Sequence, residues 1–321
     1  MYSFSNLKVC FVGVGSIASK HICNLIEVCK EENVNVTIDA LRRISNRNES
    51  GAVMNAMEHV NCVYNDVNQL PDDYDVVFIT NPTDMHIDTL KSVQNKGKHF
   101  FIEKPLISVS KIGEAESFRK QEGKVYYVAC PMRYTDVLSY IKSNIKSDEV
   151  IGVRSISSSY LPDWRPETDY RKCYSAIKSL GGGVAIDLIH EWDYLTWLFD
   201  YPKSIKSIIA KKSRLEIDTE DYATYLAEYE DKIIELHLDY FGRKSMREIM
   251  IFTNDDTIVG DFIDNSVRYL KSNRVEHFAS DSKEIGRREL RHFLNIIDNK
   301  LENDNDFIRA VKTLKLTQGV M

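Results

Sequence analysis

Apolar and polar positions alternate along the first 130 residues in two rhythms that take turns. Leu7, Val9 and Cys10 run into Phe11 and Val12, a short apolar stretch that predicts a buried strand. The next residues read G-V-G-S-I-A-S-K from Gly13 to Lys20, and Ile17, His21, Ile22, Leu25 and Ile26 then recur at helical spacing. Strands are further predicted over 34–41, 61–64, 76–79, 99–102 and 125–129, and helices over 55–60, 84–95 and 112–121. The run Val76-Val77-Phe78-Ile79 has no polar face, as in a strand covered on both sides. Strand and helix taking turns in this way predict a parallel sheet with right-handed crossovers.

Past Cys130-Pro131 the rhythm changes. A helix is predicted over 136–145 and another over 183–199. Between and after them come period-two segments at 151–159, 205–210, 221–229, 232–240, 247–253 and 256–261. Glu230-Asp231 and Asn254-Asp255 have hairpin-turn chemistry. The segments 282–301 and 306–316 are predicted helical. The expected fold is α/β: an N-terminal Rossmann dinucleotide-binding domain over 1–129, and a C-terminal α+β domain over 130–321 with a large, mostly antiparallel sheet. One face of that sheet needs cover, which predicts a homodimer or homotetramer.

Length and charge narrow the classes. A chain of 321 residues exceeds one ordinary core. A net charge of −6 disfavours nucleic acid as a general partner. No apolar run is long enough for a membrane helix, and the N-terminal residues lack the basic region and cleavage site of a signal peptide. The six cysteines form no C-x-x-C pair and the eight histidines no ligand spacing. Reduced thiols, a cytoplasmic location and no metal are therefore expected.

The glycine turn is the first candidate site. Gly13 permits a tight turn, Gly15 leaves room for a pyrophosphate, and the helix starting at Ser16 and Ile17 would turn free N–H groups toward phosphate. Ala18 replaces the usual third glycine and is small enough for close helix–strand contact. Asn81-Pro82-Thr83 ends the most buried strand, at the sheet edge where ligands bind, and Thr83 can cap the next helix. His86, one turn on, is a candidate beside the nicotinamide. Glu103-Lys104-Pro105 ends the neighbouring strand on the same edge, where Glu103 and Lys104 are candidate cofactor-binding residues and the Lys104 ammonium can stabilise a developing alkoxide. Arg42 and Arg43 follow the second strand, where an acid would hold the ribose hydroxyl of NAD; guanidinium groups there suit the 2′-phosphate of NADP. NADP is thus favoured over NAD.

In the second half, Gly181-Gly182-Gly183 gives a backbone able to approach a ligand closely and then enter a helix. Asp187, His190 and Glu191 follow on one face of that helix, a suitable setting for a proton shuttle. Tyr160, Trp164, Arg165 and Arg171 belong to an aromatic and arginine-rich loop able to stack on a sugar ring and pair with an anionic group.

These motifs together resemble the glucose-fructose oxidoreductase and inositol dehydrogenase family, Gfo/Idh/MocA. The resemblance rests on G-V-G-S-I-A at 13–18, N-P-T at 81–83, E-K-P at 103–105 and G-G-G-V-A-I-D-L-I-H-E-W-D at 181–193. It implies a nicotinamide-dependent oxidoreductase acting on a CH–OH group of a sugar, cyclitol or similar polyol. It also implies that Lys104 and His190 move the proton and orient the substrate, with Asp187 joining them. The two residues would then converge, from separate domains, on the reactive nicotinamide carbon. The aspartate-to-histidine spacing is three here, where many relatives have four, which makes Glu191 a stand-in candidate for Asp187. The 160–171 loop resembles that of relatives linked to bacterial surface sugars, implying an anionic or nucleotide-linked sugar. Two alternatives stay open: a non-catalytic NADP or sugar sensor on the same fold, and a transient oxidation with no net cofactor change.

Overall fold

The computed structural model describes residues 2–42, 50–279 and 281–321. The chain forms, in order, β1 (Asn6–Val12), α1 (Ser16–Glu31), β2 (Asn35–Leu41), α2 (Gly51–Met57), β3 (Cys62–Tyr64), β4 (Tyr74–Ile79), α3 (His86–Val93), β5 (Gly97–Ile102), α4 (Ile112–Glu116) and β6 (Tyr126–Val128). There follow α5 (Asp136–Asn144), β7 (Val150–Tyr160), α6 (Val184–Asp187), α7 (Ile189–Phe199), β8 (Ser204–Ala210), β9 (Tyr222–Glu228), β10 (Ile233–Asp239), β11 (Phe241–Thr253), β12 (Thr257–Asp261), β13 (Ser266–Tyr269), β14 (Arg274–His277), α8 (Ser282–Ile297) and α9 (Phe307–Thr317).

Two compact units result: Met1–Pro131 with Asp281–Val311, and Met132–Ser280 with Lys312–Met321. The expected boundary at 129/130 lies beside the 131/132 division, and residues 281–311 group with the first unit. The cause is the aromatic face of the first sheet. Phe293 of α8 places its ring 6.3 Å from Phe78, 5.3 Å from Phe101 and 5.5 Å from Tyr127. Arg291 and Arg287 on the same helix pair with Glu31 and Glu27 of α1. Beyond α8, Asn305 exchanges hydrogen bonds with Val128 and so occupies the open edge of β6.

In the first unit the strands lie in the order β3-β2-β1-β4-β5-β6, all parallel. This is the doubly wound order, with its reversal between β1 and β4. Both strands are apolar throughout their carboxyl halves, with Val9, Phe11, Val76, Val77, Phe78 and Ile79 fully shielded. Helix α1 buries Ala18, Ile22, Leu25 and Cys29, a stripe at steps of three and four. Three predicted helices are displaced or shorter. The first lies at Gly51–Met57 because the Ser50 side chain caps it, the second opens with a 3₁₀ turn at Thr83–Met85, and the third stops at Glu116.

In the second unit an eight-stranded sheet runs β14-β13-β12-β11-β7-β10-β9-β8. It is antiparallel except for β7 and β10, which pair parallel. The terminal hairpin β13–β14 extends the sheet beyond the predicted strands; Ser266, Arg268 and Arg274 dilute its apolar alternation. Helices α5, α6 and α7 supply the core beside one face. Trp192 meets Tyr225 edge to face at 5.3 Å, and Tyr194 shares a 2.6 Å hydrogen bond with Ser155. The other face keeps Leu226 and Ile233 exposed.

Candidate active site

The glycine turn fills the reversal between β1 and β4. Gly13 has φ +86°, and a Cβ there would lie 2.8 Å from the Asn81 Cα, so glycine is required on both counts. The turn is pinned by Gly13 N–H donating to Leu41 O at 2.9 Å and by Thr80 Oγ1–H donating to Gly13 O at 2.7 Å. Gly15 is the N-cap of α1, and no side chain caps that helix. A Cβ at Gly15 would meet nothing within 4 Å, and Ser16 and Ile17 beside it are exposed. Open space in front of uncapped first-turn N–H groups suits a pyrophosphate. Asn81 gives its Nδ2 to Thr89 Oγ1 at 2.7 Å, while its Oδ1 is buried without a partner. These features fit a dinucleotide.

Pro82 is exposed and Thr83 half-buried; Thr83 forms the 3₁₀ turn instead of capping a helix. His86 differs more from expectation. It is buried, with Nε2 2.8 Å from Asn81 O and Nδ1 3.2 and 3.1 Å from the carbonyls of Pro105 and Leu106. Burial holds its pKa below the usual imidazole range, against three carbonyls that favour the protonated ring. His86 is thus a tie between two loops, and neither ring nitrogen faces outward.

Every residue from 100 to 107 is buried except Lys104. Glu103 is held on both carboxylate oxygens. Oε1 lies 2.5 Å from His21 Nε2, and Oε2 accepts the Lys104 backbone N–H at 3.1 Å. Burial alone would push the Glu103 carboxyl up, but the His21 hydrogen bond and charge bring it below the usual range. Burial would likewise lower His21, and Glu103 raises it above the ordinary imidazole value. Glu103 is therefore engaged within the protein, and sequence reading missed His21 because its partner is far along the chain.

Asp39 in β2 is buried and accepts hydrogen bonds from Tyr74 Oη at 2.7 Å and Cys62 N at 3.1 Å. It is internal to the strand, and Arg42 is the charged residue that follows β2. Arg43 lies outside the described residues.

In the second unit the run 183–196 is buried with two exceptions, Asp187 and His190. The predicted single helix is broken at Leu188 (φ −97°, ψ 28°), between α6 and α7. Asp187 Oδ2 accepts a 2.6 Å hydrogen bond from Tyr240 Oη, another residue the sequence did not single out. Burial, then the Asp187 charge, pushes the Tyr240 phenol well above its usual range, so it stays a donor. Trp164 packs edge to face on Tyr240 at 5.3 Å and donates Nε1–H to Ser159 Oγ at 2.8 Å. That brings part of the predicted aromatic loop beside Asp187.

Other candidates have different duties. Glu191 is completely buried and accepts from Arg247 Nε at 2.6 Å, so it is a core ion pair and not a stand-in for Asp187. Asp193 pairs with Arg133 through two hydrogen bonds of 2.9 and 2.7 Å. Arg171 is exposed but bonded to Asp169 and Glu216, each at 2.8 Å. Tyr160 is half-buried with the Arg243 guanidinium 3.8 Å above its ring, and Arg165 is exposed. The glycine run approaches protein, not open space. A Cβ on Gly182 would run into the carbonyls of Tyr174 and Ser175, and one on Gly183 (φ +129°) into the Glu220 carboxylate. Among the described residues no three or more His, Cys, Asp or Glu side chains group as metal ligands, and no helix is long and apolar enough to cross a membrane.

Comparisons with known proteins agree with this anatomy. Residues 7–130 match an oxidoreductase family with an NAD-binding Rossmann fold, and residues 139–258 match the Gfo/Idh/MocA C-terminal domain. The chain is 27% identical over 267 residues to the scyllo-inositol 2-dehydrogenase (NADP(+)) IolU of Bacillus subtilis (strain 168), covering 77% of each protein. It is 24% identical over 207 residues to the uncharacterized oxidoreductase YrbE of the same organism, covering 64% of this chain but 56% of that relative's length. A solved levoglucosan dehydrogenase, in complex with NADH and levoglucosan, has the same fold at a TM-score of 0.83 and 15% identity, covering 98% of this chain and 96% of that one.

Proposed function

Because the chain belongs to the Gfo/Idh/MocA oxidoreductase family, we propose that it is an NAD(P)-dependent dehydrogenase that moves a hydride to or from a carbinol carbon of a sugar or cyclitol. One observation carries this reading. In two otherwise buried runs, the residues left partly exposed are a lysine, an aspartate and a histidine: Lys104 in 100–107, and Asp187 and His190 in 183–196. Buried stretches that open at proton-transferring groups fit chemistry better than packing.

The nicotinamide cofactor supplies the hydride acceptor or donor when bound. Gly13, Gly15, Ser16 and Ile17 would hold its pyrophosphate, with Asn81, Pro82 and Thr83 lining the same carboxyl edge of the sheet. Lys104 stabilises negative charge on the reacting oxygen, and His190 takes or returns the hydroxyl proton. Asp187, fixed by Tyr240, orients the histidine or a substrate hydroxyl.

Finer assignments follow from single residues. Arg42, at the end of β2 where no acid stands, favours NADP over NAD. Trp164 offers a ring to a sugar face and Arg165 a charge to an anionic group, which suits an anionic or nucleotide-linked sugar such as those used for bacterial surface glycans. The exposed apolar side chains on the free sheet face suit a homodimer or homotetramer. Six free cysteines suit a reducing compartment such as the cytoplasm.

The test is absorbance at 340 nm with NADP⁺ or NAD⁺ and a panel containing scyllo-inositol, levoglucosan and sugar nucleotides. Turnover abolished in both Lys104→Ala and His190→Ala supports the reading. Binding of NADPH and sugar without turnover in the wild type would favour a sensor instead.

A further inference from the structure

We propose that His21 and Glu103 form a positioning pair that fixes the backbone of Lys104. The inference rests on the reading of Lys104 as a reacting group and adds what holds it there.

Three backbone polar groups around the lysine are held by side chains. The Lys104 N–H donates to Glu103 Oε2 at 3.1 Å, and the carbonyls of Pro105 and Leu106 face His86 Nδ1 at 3.2 and 3.1 Å. Glu103 Oε1 is in turn fixed by His21 Nε2 at 2.5 Å. His21 lies on α1, the helix that opens at the glycine turn, and His86 also contacts the Asn81 carbonyl next to that turn. Both elements expected to hold the dinucleotide are thus tied to the lysine segment by buried imidazoles.

An ion pair meant only for stability would not need this arrangement. The second oxygen of Glu103 bonds its own neighbour's amide, so rotation of the carboxylate moves the one residue of the segment that reaches solvent. The pair is also placed for rigidity: the His21 ring packs edge to face on Phe101 at 5.0 Å. Charged and titratable groups facing the pair are Glu289 of α8 and Lys20 on the His21 side, and Lys104 and His86 on the Glu103 side. Without His21, a buried Glu103 carboxylate loses its main cationic partner and gains a proton more readily. A protonated carboxyl then competes as a donor where the Lys104 N–H now donates, and the turn loses its anchor.

The test uses the full chain and the variants His21→Leu, His21→Gln and Glu103→Gln, folded by far-UV circular dichroism. The probe is acetic anhydride, with Lys104 acetylation followed by mass spectrometry relative to the other lysines of the same molecule; NADPH binding is followed by fluorescence. The proposal expects His21→Leu and Glu103→Gln to change the relative Lys104 rate by about tenfold, with NADPH affinity within about twofold of wild type. His21→Gln, which keeps an N–H toward Glu103, restores most of the wild-type rate. Lys104 labelling within about twofold of wild type in any folded variant lacking the His21–Glu103 contact overturns it. If His21→Leu does not fold, Glu103→Gln, the smaller change, decides alone. Turnover that survives Lys104→Ala is a separate result: it removes the catalytic reading while leaving the labelling outcome to judge the pair.

Discussion

Gly13 and Asn81 lie so close that a methyl group on the glycine would come within 2.8 Å of the asparagine Cα. Two neighbouring strands of the first sheet therefore meet backbone to backbone at the point where their connections diverge. Gly13→Ala must also accept φ +86°. It should destabilise the chain by about 1–3 kcal/mol and weaken NADPH binding. Gly15 differs, with open space at its Cβ position and an extended backbone at φ −113°. Gly15→Ala should leave the melting temperature within about 2 °C yet still lower NADPH affinity. Thermal melts and fluorescence titrations of the two variants, run side by side, check this; equal effects on stability would contradict it.

Arg42→Ala should weaken NADPH about tenfold or more and NADH far less, read from the two dissociation constants. Equal losses would remove the assigned preference for the phosphorylated cofactor.

Tyr240→Phe removes the 2.6 Å hydrogen bond to Asp187 and keeps the ring that Trp164 packs against. The expected result is a kcat lower by about tenfold with cofactor KM unchanged. A variant as active as wild type would show that Asp187 needs no such support.

Glu191→Gln leaves the half-buried Arg247 guanidinium without its anion, and should cost about 1–3 kcal/mol in urea melts. Activity per folded molecule should change little. Asp187→Asn should do the reverse, with stability kept and turnover lost.

The His21–Glu103 pair makes stability depend on pH in two directions. His21 is raised from 6.5, so its contribution is full below that value and is lost as pH rises through its folded-state pKa. Glu103 is lowered from 4.5, so its contribution is full above that value and is lost as pH falls through its folded-state pKa. The stability gap between wild type and Glu103→Gln should be largest between these two values and shrink on either side. Urea melts across pH 3 to 9 (about the accessible range) read it.

The parts of the fold that sequence carried were those with local causes. Gly13, Gly15 and the apolar runs at Val9–Val12 and Val76–Ile79 mark strand, turn and helix without outside help. The Leu188 break in the 183–199 helix, the parallel pairing of β7 with β10 and the placement of α8 were illegible because each depends on distant partners. The same holds at the candidate site. Lys104, Asp187 and His190 were singled out by motif position, and the structure adds that each is a partly exposed member of a buried run. The burial of His86 and Glu191, and the presence of His21 and Tyr240, required the carbonyls of 81, 105 and 106, Arg247, Glu103 and Asp187 to be located first. The glycines at 182 and 183 were legible as a demand for space, but what fills it is Tyr174, Ser175 and Glu220.

Helix α8 has one more consequence, for the order in which the molecule is made. The strands of the first sheet leave the ribosome early, yet Phe293, which covers Phe78, Phe101 and Tyr127, is synthesised only after the whole of the second sheet. During translation the nascent N-terminal half must wait with a greasy aromatic surface bare, a hazard that invites chaperone binding. A fragment ending at residue 131 lacks Phe293 and carries the same bare aromatic surface permanently.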